Sequence, residues 1–526
     1  MKIIAIAGHK MVSRELVWGL ALCLCCTLAM ALASSSHHGQ ALEEDVGLSY
    51  DYKDALAKAI LFFEGQRSGK LPASQRVKWR GDSALNDGQP DNVNLVGGYY
   101  DAGDNVKFVW PMAFTVTMLS WAAVEYGNEI SSAGALNHLR TAIRWGTDFI
   151  LQAHTSPTTL YTQVGDGNTD HQCWERPEDL DTPRTLYKIT SDSPGSEAAG
   201  EAAAALSAAS IVFKGVDSKY SKKLLSKSKS LFKFADKYRG IYNESFPFYR
   251  SFSGYQDELL WSAAWLYKAS GDKKYLNYVV RNQGWSEAVL ELSWDTKYPG
   301  AQTLLAKEFY DGMKDLSKYV TDVESFICAV MPGSSSAKID TTAGGLLYLR
   351  DSSNLQYVTS SCMVLSVYSK TLTASHVDGI QCGSAHFSAS QIKAFAKSQV
   401  NYILGNNPMK MSYMVGYGSK YPMQLHHRGS SIPSIYNQPS KVGCGDGWSY
   451  YSSNTPNPNQ HVGAIVGGPD SNDHFNDQRS SFSQTEPTTY MNAAFVGAVA
   501  ALLDQTNEEP LQHPQINTLI NMADSV

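Results

Sequence analysis

Apolar residues recur along most of the chain at spacings of three and four, which predicts one helix after another. In "YDYKDALAKAILFFEGQRSGK", Ala55, Ala57, Ile60 and Phe63 fall roughly on one side. "PMAFTVTMLSWAAVEYG" places Pro111 in a first helical turn, where its missing N–H removes no intrahelical bond. "ALNHLRTAIRWGTDFILQAH" follows, and then "GSEAAGEAAAALSAASIVF", so rich in alanine that its packing partners must approach closely. The same period continues through "SKYSKKLLSKSKSLFKFADKY", "YQDELLWSAAWLYKAS", "KKYLNYVVRN", "AQTLLAKEFYDG", "SNLQYVTSSCMVLSVYSK", "SASQIKAFAKSQVNYILG" and "TTYMNAAFVGAVAALLDQ". Strand-like alternation is scarce, so an all-α protein of about a dozen helices is expected. Between the helices lie segments rich in Gly, Asn, Asp and Pro, at 64–110, 161–195 and above all 405–488. Connections that long are unusual in a compact domain unless they carry function. No low-complexity linker or short-period repeat interrupts the pattern. One domain over 46–506 is expected, with a tail at 507–526 too short for an added carbohydrate-binding module.

The N-terminus is of different material. Lys2, Lys10 and Arg14 precede an apolar run from Leu16 that ends on Ala31-Leu32-Ala33. A basic start, apolar middle and small-x-small exit predict a secretory signal over 1–33, cut after Ala33; the rival is an uncleaved anchor. No later stretch is apolar enough to span a bilayer. Export leaves Cys173, Cys328, Cys362, Cys382 and Cys444, an odd number, so at least one stays unpaired or pairs outside the chain. Asn243-Glu244-Ser245 is a glycosylation sequon that fits an exported chain. The chain is 43% apolar and 18% charged, hence folded, and its formal net charge of −6 argues against nucleic acid or an anionic membrane surface as partner. An uncharged polymer substrate and a monomeric state are expected.

Three groups of residues could carry chemistry. "GGYYDAGDNVKF" holds Asp101 and Asp104 three positions apart. They are either turn acids capping the next helix, or a pair sharing a water that one of them deprotonates. "YPMQLHHRGSSIP" holds His426, His427 and Arg428. Adjacent histidines diverge, so the segment is either a structural loop or a His-x-Arg pair pointing one way toward hydroxyl groups. "DHFNDQRSSFSQTEPTTYMNAAF" contributes Asp473, Asp477, Arg479 and Glu486. Glu486, just ahead of the last helix, either complements the helix dipole or, walled by apolar groups, becomes a general acid. One protonated acid facing one water-holding carboxylate is what cleavage of a glycosidic bond needs. Tyr99, Tyr100, Trp174, Tyr255, Trp294 and Tyr490 could supply flat faces for sugar rings, or core.

These motifs carry a resemblance. "QRSGKLP", "WRGDSALNDG", "LVGGYYDAGDNVKFVWPMAFTVTMLSW", "SYMVGYGSKYPMQLHHRGSSIP" and "FNDQRSSFSQTEPTTYMNAAFVGAVAALL" resemble glycoside hydrolase family 9 endoglucanases of the plant secreted type, over about 46–506. The resemblance implies an (α/α)6 barrel with an open cleft at one end, and hydrolysis of β-1,4-glucan with inversion. It implies Asp104 as catalytic base, Asp101 helping to hold the water, Glu486 as general acid, His426 at the sugar beside the scissile bond with Arg428 next to it, and Asp477 as a supporting carboxylate. His171, Trp174 and Tyr490 resemble cleft-lining sugar contacts. The chemistry implied needs no cofactor. Bacterial relatives bind calcium through a cluster resembling "SGYQDE", which implies a structural calcium on Ser253, Gly254, Asp257 and Glu258. One departure is Ser352-Ser353 before "NLQYV", where many relatives carry a tryptophan platform. The implied protein is a secreted cell-wall glucanase. The alternatives are a catalytically silent glycan-binding protein with the same fold, and a metal-dependent hydrolase using the Asp and His clusters.

Overall fold

The structure is a computed structural model that describes residues 50–244 and 247–503, so the signal segment and the tail lie outside the described residues. A compact unit begins at Asp51. Twelve helices of nine or more residues build it: α1 (Tyr52–Gly65), α2 (Val109–Glu125), α3 (Leu136–Ala153), α4 (Ser196–Phe213), α5 (Ser218–Lys237), α6 (Gln256–Ser270), α7 (Lys273–Arg281), α8 (Tyr298–Tyr310), α9 (Ser317–Val330), α10 (Leu355–Ala374), α11 (Ala389–Leu404) and α12 (Thr489–Ala500).

The burial pattern sorts these into two shells. Every residue of α12 is buried, and α4 buries all but its last turn, so both are enclosed on all sides. By contrast α5 buries Tyr220, Leu224, Leu231, Phe232 and Phe234 on one stripe and turns its lysines outward. The even-numbered helices pack in a closed ring, α2 on α4, α4 on α6, α6 on α8, α8 on α10, α10 on α12, and α12 back on α2. The odd-numbered helices lie outside them. This alternation is the (α/α)6 barrel. Alanine and glycine permit the close spacing: a Cβ on Gly200 of α4 would stand 2.9 Å from that of Glu258 on α6.

Connection lengths orient the barrel. Passages from an inner helix to the next outer one are short, residues 214–217 and 271–272 for example, whereas passages from outer to inner helices are long: 66–108, 154–195 and 405–488. All the long passages therefore gather where the inner helices begin. β1 (Lys107–Phe108), β2 (Leu160–Val164) and β3 (Leu186–Ile189) form an antiparallel sheet in that order within this layer. A hairpin of β4 (Gly379–Cys382) and β5 (Ala385–Ser388) leads into α11, which opens on a capping box between Ser388 and Gln391.

Helix α9 was not among the expected segments. It is dense in β-branched residues, yet buries Tyr319, Val320, Val323, Phe326, Ile327 and Val330 on a helical stripe. Disulfides join Cys173 to Cys444 and Cys328 to Cys382, and Cys362 is the odd thiol, buried.

Candidate active site

Neighbouring inner helices explain why residues far apart in the chain meet. α2 and α12 are adjacent in the ring, tied by a 2.9 Å hydrogen bond from Thr115 Oγ1 to Thr489 Oγ1. Asp101 and Asp104 lie just ahead of α2, and Glu486 just ahead of α12. The Thr489 amide donates to the Asp101 carbonyl at 3.1 Å, stitching one entry loop to the other.

Gln66, at the end of α1, holds this loop from behind. Its Nε2 donates to the carbonyls of Tyr100 and Ala102 at 3.2 and 2.8 Å, and its Oε1 faces Nε2 of His427 at 2.7 Å and of His461 at 3.0 Å. Tyr99 and Tyr100 turn into the core. Asp101 and Asp104 are 5% and 6% exposed, and Oδ1 of each has no protein partner. The other oxygen of Asp101 accepts the Tyr249 hydroxyl, whose oxygen lies 3.3 Å from the Tyr490 hydroxyl. Burial, then the charge of Asp104, holds the Asp101 pKa well above the carboxylate range. Burial and the neighbouring Asp170 push Asp104 up to about 6, against the pull of His171 and Arg428.

Gly103 is the joint between the two acids. Its amide donates to Glu486 Oε1 at 3.0 Å, 383 positions away in the chain. Its carbonyl accepts from the Arg428 amide at 3.0 Å and from the guanidinium at 3.2 Å. A Cβ on Gly103 would stand 2.0 Å from the His426 carbonyl oxygen, so no larger residue fits between the segments. Glu486 is pushed up to about 8, first by burial and then by the Asp104 charge. One carboxyl therefore keeps its proton near neutrality while the other has released it. Such a split defines an acid and a base.

His426 is half-buried. Its Nδ1 stands 2.8 Å from the Arg479 carbonyl, and burial followed by the Arg428 charge lowers its pKa to about 3. The ring is thus neutral, with its lone pair on Nε2. His427 is buried, its Nδ1 capping the short helix Arg428–Ser431 by accepting the Ser430 amide at 3.0 Å.

The structure places several expected sugar contacts differently. Arg428 is buried, and its donors go to the carbonyls of Cys173, Gly103 and Asp170 and, at 3.1 Å, to the Asp170 carboxylate. It fastens the Asp104 loop to the segment around Cys173 and does not share a sugar-facing side with His426. Trp174 is only 2% exposed; it donates to Ser431 Oγ at 3.0 Å and backs the His426 ring at 4.9 Å. Trp294 packs on Tyr249 and Tyr490 bonds it, so both support Asp101. His171 is part exposed and packs on Phe248 at 4.5 Å. Tyr255 starts α6 and has no hydrogen bond to these acids. The exposed aromatic faces beside His426 and Trp174 belong to Phe482, inside the segment that carries Glu486, and to Trp448, which lies in none of the motif segments. Asp477 accepts the amides of Met423 and Gln424 at 2.8 and 2.9 Å, which fixes the approach to His426.

The Glycosyl hydrolase family 9 model matches residues 52–499. The chain belongs to glycosyl hydrolase family 9. An endoglucanase of Phaseolus vulgaris is 70% identical over 478 residues, 89% of this chain and 96% of that one. Endoglucanase 18 of Arabidopsis thaliana is 68% identical, over 87% and 95%. The solved endoglucanase of the termite Nasutitermes takasagoensis superposes with a TM-score of 0.78 at 40% identity, over 87% of this family 9 chain and all of that one. The family's hydrolysis needs no cofactor.

The four residues expected to hold calcium are a poor fit in this family 9 chain. Glu258 is turned to Lys297 at 3.1 Å, Asp257 accepts the Lys297 amide at 2.7 Å, and the Gly254 carbonyl accepts from Ser251. The buried Lys297 ammonium, held above its usual pKa by Glu258 and Glu201 although burial lowers it, already brings a cation to that cluster.

Proposed function

We propose that this family 9 enzyme is an endo-β-1,4-glucanase that cleaves internal bonds of cell-wall glucan with inversion, Asp104 acting as base and Glu486 as acid. The observation that carries the assignment is the Gly103 amide, which ties Glu486 to the residue beside Asp104. Glu486 protonates the departing glycosidic oxygen as its bond to the anomeric carbon breaks. A water attacks that carbon from the opposite face and gives its proton to Asp104, with Asp101 orienting it. In such an arrangement the two carboxyl groups stand roughly 6.5–9.5 Å apart. His426, neutral, accepts a hydroxyl of the neighbouring sugar through Nε2; Arg428 and Asp477 are positioning residues.

The basic and apolar N-terminal sequence and the exposure of Asn243, the first residue of the sequon, support export and glycosylation. No helix of the described residues is long and apolar enough to cross a membrane. We take the enzyme to act as a monomer.

Proton NMR of cello-oligosaccharide hydrolysis tests the reading: the first product is expected as the α-anomer. Asp104→Asn and Glu486→Gln are each expected to lose most turnover while keeping their melting temperatures. A β-anomer, or near-normal turnover in either variant, overturns it.

A further inference from the structure

The loop that bears Asp104 meets two groups that bond cleavage does not require. One carboxylate oxygen of Asp104, one of Asp170 and a ring nitrogen of His171 all lie within 4.8 Å of one another. We propose that Asp104, Asp170 and His171 form a binding site for a divalent transition cation of the zinc class, which blocks the enzyme by taking the base's carboxylate.

Several observations point the same way. Asp104 is 94% buried by its 6% exposure, yet its Oδ1 has no protein partner. His171 Nδ1 stands 3.7 Å from the Asp170 carboxylate and 2.7 Å from the Gly167 carbonyl, so the neutral ring keeps its lone pair on Nε2, and binding requires this exposed ring to turn and offer that nitrogen to the cation. Asp170 is held by Arg428 at 3.1 Å and by the Asn105 amide at 3.3 Å, which orients the carboxylate and leaves it further lone pairs. Two carboxylates against one guanidinium leave a net negative charge for the dication. Ligand atoms about 2.1 Å from a tetrahedral centre stand roughly 3.4 Å apart, so atoms within 4.8 Å need move inward by less than about 1 Å. His171, 40% exposed at its side chain, can make most of that shift. The imidazole favours zinc or copper over calcium and magnesium, which prefer oxygen.

The test is titration of Zn²⁺ alone by calorimetry, with Co²⁺ absorption as a second readout. The full chain carries His386→Ala and His474→Ala, because these exposed rings stand 3.7 and 3.9 Å from Asp378 and Asp470. One Zn²⁺ per chain is expected, with binding weakened at least tenfold by His171→Ala. His171 is part exposed, so this variant is expected to melt as the parent does. Absence of binding, or equal binding after His171→Ala, overturns the site and leaves Asp104 as base untouched. The inhibition rests on the proposed function: a zinc-loaded chain that turns over at the unloaded rate keeps the site and instead removes Asp104 from the base's role.

Discussion

Replacing Gly103 by alanine would add one carbon at the joint between the Asp104 loop and Glu486. That carbon would stand 2.0 Å from the His426 carbonyl oxygen, 2.9 Å from its carbon and 3.0 Å from Glu486 Oε1. Two of these neighbours are backbone, held by the Arg428 contacts to the Gly103 carbonyl, so no side-chain rotation relieves the clash. Restoring an ordinary contact of about 3.4 Å requires the Gly103 loop and the His426 segment to part by more than 1 Å, immediately beside Asp104 and the Glu486 carboxyl that the Gly103 amide holds. A misplacement of about 1 Å costs on the order of a hundredfold in rate, and overpacking of this kind costs about 1–3 kcal/mol of stability. Gly103→Ala is therefore expected to stay folded, with a lower melting temperature and kcat on cellopentaose down by about a hundredfold. KM should change less than kcat. Thermal melting and steady-state kinetics check both halves. A variant with kcat within about threefold of the parent would mean that the acid is not held to the base through this glycine.

Three further outcomes follow from the same contacts. With Asp104 raised to about 6 and Glu486 to about 8, kcat/KM measured in the presence of EDTA should rise as Asp104 loses its proton and fall as Glu486 loses its own; an acid limb below about pH 5 contradicts the base assignment. Glu197 is buried in the barrel, and burial pushes its pKa up to about 8 from 4.5. The folded state thus holds a proton that the unfolded chain releases, and stability is lost as pH rises from the lower value to the higher. Glu197→Gln should stabilise the fold at pH 7 by at most about 3 kcal/mol, seen as a higher melting temperature, and leave it unchanged at pH 4; a uniform shift refutes the linkage. Gln66→Leu strands the Tyr100 and Ala102 carbonyls and the two histidine nitrogens, at about 1–3 kcal/mol for each buried group left unpaired, so its urea midpoint should fall steeply, whereas an unchanged midpoint would show that the loop is held elsewhere.

Helical spacing alone made eleven of the barrel helices legible, because an enclosed or amphipathic helix writes its period into its own residues. α9 writes it too, as Val320, Val323, Ile327 and Val330, but β-branched residues also suit a strand, and local preference hid the period. The acids and His426 were legible from motifs. Arg428 and Trp174 were legible as important but not in their roles. Arg428 bonds a carbonyl 325 positions away, and Trp174 is covered because Cys173 is joined to Cys444, bringing Trp448 and Tyr451 over it. Neither contact has a local signature. Asp170, in the same segment as His171 and Trp174, and Tyr249 carry no signal of their own in the sequence, yet their contacts with Arg428 and Asp101 shape the surroundings of the two aspartates.

The uneven connections of the barrel divide the molecule into a working rim and an idle base. At the base, Gly271 and Asp272 turn the chain between α6 and α7 with a left-handed glycine and a capping aspartate, remote in the ring from the α2 and α12 entries. A graft made there, whether a tether to a surface, a fused partner or a new pair of chain ends, adds nothing to the side that meets the polymer. The barrel thus offers a handle that can be altered independently of what it cuts.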